Sequence, residues 1–132
     1  MLLHPLAVHF PLALWLTSAL FDLLAWRRED PLYRRTARWL VGLGLLGAVI
    51  SIALGWVDLL AQESAGVGAG LVIRHRLHGA AAYAATAVYG MNFGWRWWTH
   101  NRVSATLLAF SITGAVLIAI TGYLGGDLRS VM

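Results

Sequence analysis

The chain has 132 residues, of which 59% are hydrophobic and 12% charged, with a formal net charge of +4. A soluble domain carries about a quarter charged residues, so this composition excludes an ordinary soluble protein and points to one that spans a membrane. The absence of cysteine excludes disulfides, iron–sulfur ligation, thiolate catalysis and covalent c-type haem attachment, and the basic residues, all arginine, mostly flank apolar runs, a topology signal rather than a nucleic-acid one.

Four apolar segments follow one another, each long enough to cross a bilayer core of about 30 Å at about 1.5 Å per helical residue. The first, 6–26, opens with His4-Pro5-Leu6-Ala7-Val8-His9-Phe10-Pro11. Imidazoles are costly at membrane depth and usually mark a site there. Pro5 fits a first helical position, which leaves His4 as a cap or loop residue and sets His9 about one turn inside. The segment is not read as a cleaved signal peptide, because it lacks a basic start and Phe21-Asp22 interrupts its apolar end. Asp22 is expected to pair with Arg27, Arg28 or Arg38, since it lies about 20 Å along the helix from His9.

The second segment, 39–61, carries Gly42, Gly44 and Gly47 in a G-x-G-x-x-G spacing. A dinucleotide fingerprint needs a preceding strand and an acidic residue downstream. Neither is present, so the glycines are read as close helix-packing positions. The segment ends in Gly55-Trp56-Val57-Asp58. The third segment, 77–95, is preceded by Arg74, His75 and Arg76 and carries His78 near its start; the fourth, 103–124, is followed by Asp127. No separate soluble unit is apparent. The expected fold is therefore all-α: a single integral-membrane four-helix bundle over residues 1–132.

Arginine bias orients it. Arg27, Arg28, Arg34, Arg35, Arg38, Arg96 and Arg102 flank one side, against Arg74, Arg76 and Arg129 on the other. That places the first and third loops in the cytoplasm and both termini outside, with Trp26, Trp39, Trp95, Trp97 and Trp98 as a cytoplasmic aromatic belt. His4, His9, Asp58, Arg74, His75, Arg76, His78 and Asp127 then converge at the outer end, while His100 and Asp22 fall at the other.

Facing imidazoles on two helices can hold a b-type haem without covalent attachment. His9 and His78 sit at similar depth and are the expected axial pair, with His4 and His75 as reserve ligands or hydrogen-bond partners. Asp58 is a candidate for fixing an imidazole tautomer, Asp127 for a supporting role beside it, and Arg74 and Arg76 for binding haem propionates. The alternatives are a zinc or copper site on His9 and His78, a proton relay, or a non-catalytic assembly subunit whose histidines only pack and hydrogen-bond. Ser51, Ser64 and Ser111 lie beside no local acid–base motif, so nucleophilic catalysis finds no support.

Taken together the motifs resemble domain-of-unknown-function family 2231, a family of small bacterial membrane proteins. Its opening His-Pro-x-x-Val-His-Phe-Pro matches His4, Pro5, Val8, His9, Phe10 and Pro11, with Asp22 near the end of the first helix. Its Gly-x-x-Asp matches Gly55 and Asp58, its third-helix histidine His78, and its Gly-x-Leu-Gly-Gly-acid-Leu Gly122, Leu124, Gly125, Gly126, Asp127 and Leu128. Two departures stand out. Ala82 occupies a position where the family often has Asn, and no histidine follows the fourth segment; the role of the latter is absent or taken over by His75.

The resemblance implies a redox association, with Rieske-type or c-type cytochrome domains as partners. The resulting expectation is a haem b electron carrier or subunit in the bacterial inner membrane, both termini periplasmic. It would exchange electrons with an outer-face donor or quinone, within the lipid bilayer and as a possible homo-oligomer given its small-residue helix faces.

Overall fold

In the computed structural model, which describes residues 3–66 and 68–130, the chain forms four helices: α1 (Leu3–Arg27), α2 (Pro31–Ser64), α3 (Ala69–Trp98) and α4 (Ala105–Ser130). All four expected segments are present, and all but the start of the fourth reach beyond their apolar limits. Hydropathy marks only the apolar stretch, whereas helical hydrogen bonding runs on until a cap ends it. Thus α2 starts at Pro31, where Asp30 accepts a hydrogen bond from Leu32 N at 2.9 Å. Ser104 Oγ likewise accepts from Leu107 N at 3.2 Å at the start of α4.

Consecutive helices run antiparallel. α1 packs on α2 and α4, and α3 on α2 and α4, with closer packing inside the hairpins α1–α2 and α3–α4 than between them. By length and composition α1, α2 and α4 can cross a membrane, and α3 falls below that level. The physical reason is where its polar residues go: His75, His78, Asn92 and Arg96 are all buried inside the bundle. Outward positions elsewhere are apolar, among them Leu6, Leu20, Leu46, Ile50, Val116 and Ile120, as a lipid-facing surface requires.

Glycines let the large core side chains in. A Cβ on Gly44 would collide with Trp15 Nε1, and one on Gly114 would stand 2.8 Å from the Tyr89 ring. Trp15 and Tyr89 therefore reach the bundle centre and stack, with ring centroids 4.0 Å apart. Trp15 Nε1 donates to Val41 O at 3.2 Å, and Tyr89 Oη donates to Trp15 O at 3.4 Å. The glycines of the G-x-G-x-x-G spacing are packing positions: Gly42 faces Phe93, Gly44 faces Trp15 and Gly47 faces Pro11.

Beyond this stack lies a polar network wholly shut off from solvent. Arg96 Nη2 bonds Asp22 Oδ2 at 2.5 Å, Arg96 Nε donates to Asn92 Oδ1 at 2.7 Å, and Asn92 Nδ2 donates to Ser111 Oγ at 3.0 Å. Ser111 Oγ closes the circuit by donating to Asp22 Oδ2 at 2.5 Å. The expected partners of Asp22, namely Arg27, Arg28 and Arg38, are thus replaced by Arg96. That residue reads as a helix-end arginine in sequence, yet its side chain turns into the bundle, where a buried carboxylate needs a cation.

The ion pair joins the hairpins, so its members should be unequal to their joint replacement. Asp22→Ala, which strands the Arg96 guanidinium, is expected to cost about 3–5 kcal/mol. The double variant Asp22→Leu/Arg96→Met should recover most of that loss. Thermal unfolding in detergent, followed by circular dichroism, checks both.

Candidate functional site

The seam between the hairpins opens at the other end of the bundle. There a cavity of about 800 Å³ is lined by all four helices, from His4, Val8 and Leu12 to Gly55, Asp58, His75, His78, Thr121 and Gly125, with Trp15 at its floor. This volume lies within the range of small-molecule sites, about 300–1,000 Å³.

Two glycines seat two histidines in it. A Cβ on Gly55 would lie 3.0 Å from His4 Cε1, and one on Gly125 would lie 3.0 Å from His78 Cε1. The rings thus settle directly on the backbones of α2 and α4. His4 Nδ1 donates to Ser51 O at 2.9 Å, and His78 Nδ1 donates to Thr121 O at 3.0 Å. Serine at 51 and threonine at 121 bond their own helices, to the carbonyls of Gly47 and Leu117. The histidine rings themselves approach one another, with centroids 6.0 Å apart and planes crossing at 83°.

A carbonyl oxygen only accepts, so each of these Nδ1 atoms must carry the proton. In a neutral ring so bonded, Nε2 keeps a lone pair, the form of imidazole that binds metals. Backbone bonding of a ligand histidine also fixes the ring orientation in advance.

The other expected residues are distributed differently. His9 lines the cavity but is exposed, and its Nδ1 donates to Pro5 O of its own helix at 2.5 Å. The ring paired with His78 is that of His4, because α1 begins at Leu3 and carries His4 in its first turn. His75 is buried, and its Nδ1 donates to Gln62 Oε1 at 3.0 Å. Asp58 lines the cavity. Arg74 and Asp127 form an exposed ion pair at 2.9 Å and do not line it. Arg76 does line it, while pairing with Glu63 at 2.8 Å.

Sequence reading places Arg129 at this end without a role in the site, and it misses Gln62 beside His75 and the glycine seats at 55 and 125. Gly55 and Gly125 stood inside recognisable motifs, but nothing local told which ring each receives. Among the described residues no group of three or more His, Cys, Asp or Glu is arranged to hold a metal ion.

Residues 2–132 match the family described as predicted membrane proteins, DUF2231, and the chain belongs to that family. No curated protein and no solved structure is significantly similar to it.

The hydrogen bonds to Ser51 and Thr121 carbonyls predict an Nδ1-protonated tautomer for His4 and His78. Long-range ¹H–¹⁵N spectra of the protein with ¹⁵N-labelled histidine check this. Gly125→Ala, whose added methyl crowds His78, should shift the His78 resonances and leave those of His100 in place.

Proposed function

We propose that the protein is a membrane-embedded b-type haem carrier of electrons, with the haem seated in the four-helix cavity between His4 and His78. The observation that carries this reading is the pair of locked imidazoles: two rings, each bound through Nδ1–H to a backbone carbonyl, with free Nε2 lone pairs and centroids 6.0 Å apart. A metal about 2 Å from a nitrogen of each of two opposed imidazoles holds their ring centres about 6 Å apart.

A bare zinc or copper ion asks for about four protein or water donors, and the facing rings supply two. His4 and His78 would be the two protein ligands of a haem, whose remaining donors are its own nitrogens. With no cysteine in the chain, attachment is by coordination alone. The apolar lining from Val8, Leu12 and Ile118 suits a macrocycle, and Arg76 and Arg129 at the edge suit its propionates. Bound there, haem supplies one-electron redox chemistry. The chain's own residues contribute ring orientation, tautomer and exclusion of water.

The reading extends to location. Six arginines flank the end opposite the cavity against three at the cavity end, Arg96 being turned into the bundle, which supports both termini in the periplasm of a bacterial inner membrane. The cavity then meets periplasmic Rieske-type or c-type cytochrome partners, or quinone from the bilayer. The protein acts as a redox carrier or subunit rather than a stand-alone enzyme.

Visible spectra of detergent-purified protein from haem-replete cells test this. The wild type should show a Soret band that shifts on dithionite reduction. His4→Ala and His78→Ala should each abolish the low-spin spectrum, and His9→Ala should retain it. A colourless wild type, or a Soret band that survives both of the first two substitutions, overturns the assignment.

A further inference from the structure

The net charge of the molecule is confined to one end. At the end opposite the cavity stand Arg27, Arg28, Arg34, Arg35, Arg38 and Arg102, with only Glu29 and Asp30 of opposite sign. At the cavity end Arg74, Arg76 and Arg129 are matched by Asp58, Glu63 and Asp127, and inside the bundle Arg96 and Asp22 cancel. The whole formal +4 therefore belongs to the arginine end. Both carboxylates there leave the arginines unpaired: Asp30 caps α2, and none of the six guanidinium groups forms an ion pair among the described residues.

Part of this charge is organised by the fold. Arg34 and Arg38 are four apart on α2 and share one face. Between α3 and α4, His100 and Asn101 take left-handed backbone angles, φ 53° and 60°. This turn brings Asn101 Nδ2 to Arg34 O at 2.9 Å and so tethers the Arg102 loop to α2. The Arg38 guanidinium lies over the Trp97 ring, 5.6 Å from its centroid. Around the same level Trp26, Trp39, Trp97 and Trp98 are all more than half exposed, which marks the depth of lipid headgroups.

We propose that this rim is a binding site for anionic phospholipid, its phosphate held by Arg34, Arg38 and Arg102 with the Trp97 indole beside it. A guanidinium offers a phosphate two parallel donors. The indoles keep the site at headgroup depth, where a soluble acidic protein has less access than a lipid. Charge complementarity selects the occupant: the cytoplasmic surface of a membrane is anionic, and each arginine near it contributes to attraction.

The test is native mass spectrometry of the full chain, carried out of nanodiscs holding equal amounts of phosphatidylglycerol and phosphatidylcholine. The wild type should retain phosphatidylglycerol preferentially. Loss of any one of Arg34, Arg38 or Arg102 should lower that preference by about fivefold, and raised sodium chloride should weaken it. Arg34→Gln/Arg38→Gln/Arg102→Gln should abolish the preference. Arg27→Gln/Arg28→Gln/Arg35→Gln, at three exposed positions, is a second variant that leaves the tether and the stacked guanidinium intact. It should reduce the preference less.

Equal retention of the two lipids by the wild type overturns the proposal and leaves the charge to an acidic protein. So does a preference that survives the first triple variant. Sodium phosphate that displaces lipid far better than sodium chloride of equal ionic strength would assign the rim to soluble phosphate instead, and likewise overturn it.

Discussion

The fold depends on one buried ion pair. Asp22 and Arg96 are fully shielded, and neither charge is tolerable in a membrane interior without the other. Their meeting sends the long Arg96 side chain from α3 across the bundle to α1, a helix that α3 does not pack against directly, and so sets the two hairpins against each other. Asn92 and Ser111 take up further hydrogen-bonding positions, so the network also reaches α4. Asp22 Oδ1 and Arg96 Nη1 have no partner among the described residues, so the pair is held by good geometry on one side of each group. Such a network contributes less net stability than a well-packed apolar cluster. Its effect lies in specifying which faces meet.

With the hairpins joined at that end and at the Trp15–Tyr89 stack, the seam is free to part at the other. Trp15 serves both regions, since its indole stacks in the core and also forms the cavity floor. The glycine notches follow the same logic in each half. At 44 and 114 they admit aromatic rings to the core, and at 55 and 125 they admit imidazoles to the cavity wall. Removing a Cβ lets a ring lie on a helix backbone, within reach of carbonyls left by the preceding turn. The histidines are thereby fixed in tautomer and direction by the main chain, without a carboxylate. Asp58, the residue that sequence reasoning assigned to that task, lines the cavity while Ser51 and Thr121 carbonyls accept the protons.

How far could the sequence be read? The depth of each polar residue along its helix was legible, because position in a helix is linear in residue number. His4, His9, His75 and His78 fall at one end, and Asp22 and the arginine-rich loops at the other. The choice between His4 and His9 was not legible. Pro5 suggested that the helix began there, but a proline is equally at home within a first turn, where its missing N–H has no intrahelical partner to lose. Starting at Leu3, the helix includes His4 and turns it towards Gly55. Arg96 was read as a topology signal alongside its neighbours, since nothing near it in sequence announces a carboxylate on α1.

By itself the sequence determined that the protein belongs in a membrane, that it forms four helices, and which chemistry stands at which end. Composition and hydropathy suffice for that, because lipid demands apolar surfaces and internally bonded backbones. Only the tertiary structure decided which side chains meet: His4 with His78, Asp22 with Arg96, Trp15 with Tyr89, and the Asn101 turn with Arg34. Those pairings depend on the rotation of each helix about its axis. Rotation is set by glycine notches and buried charges on neighbouring helices, far away along the chain.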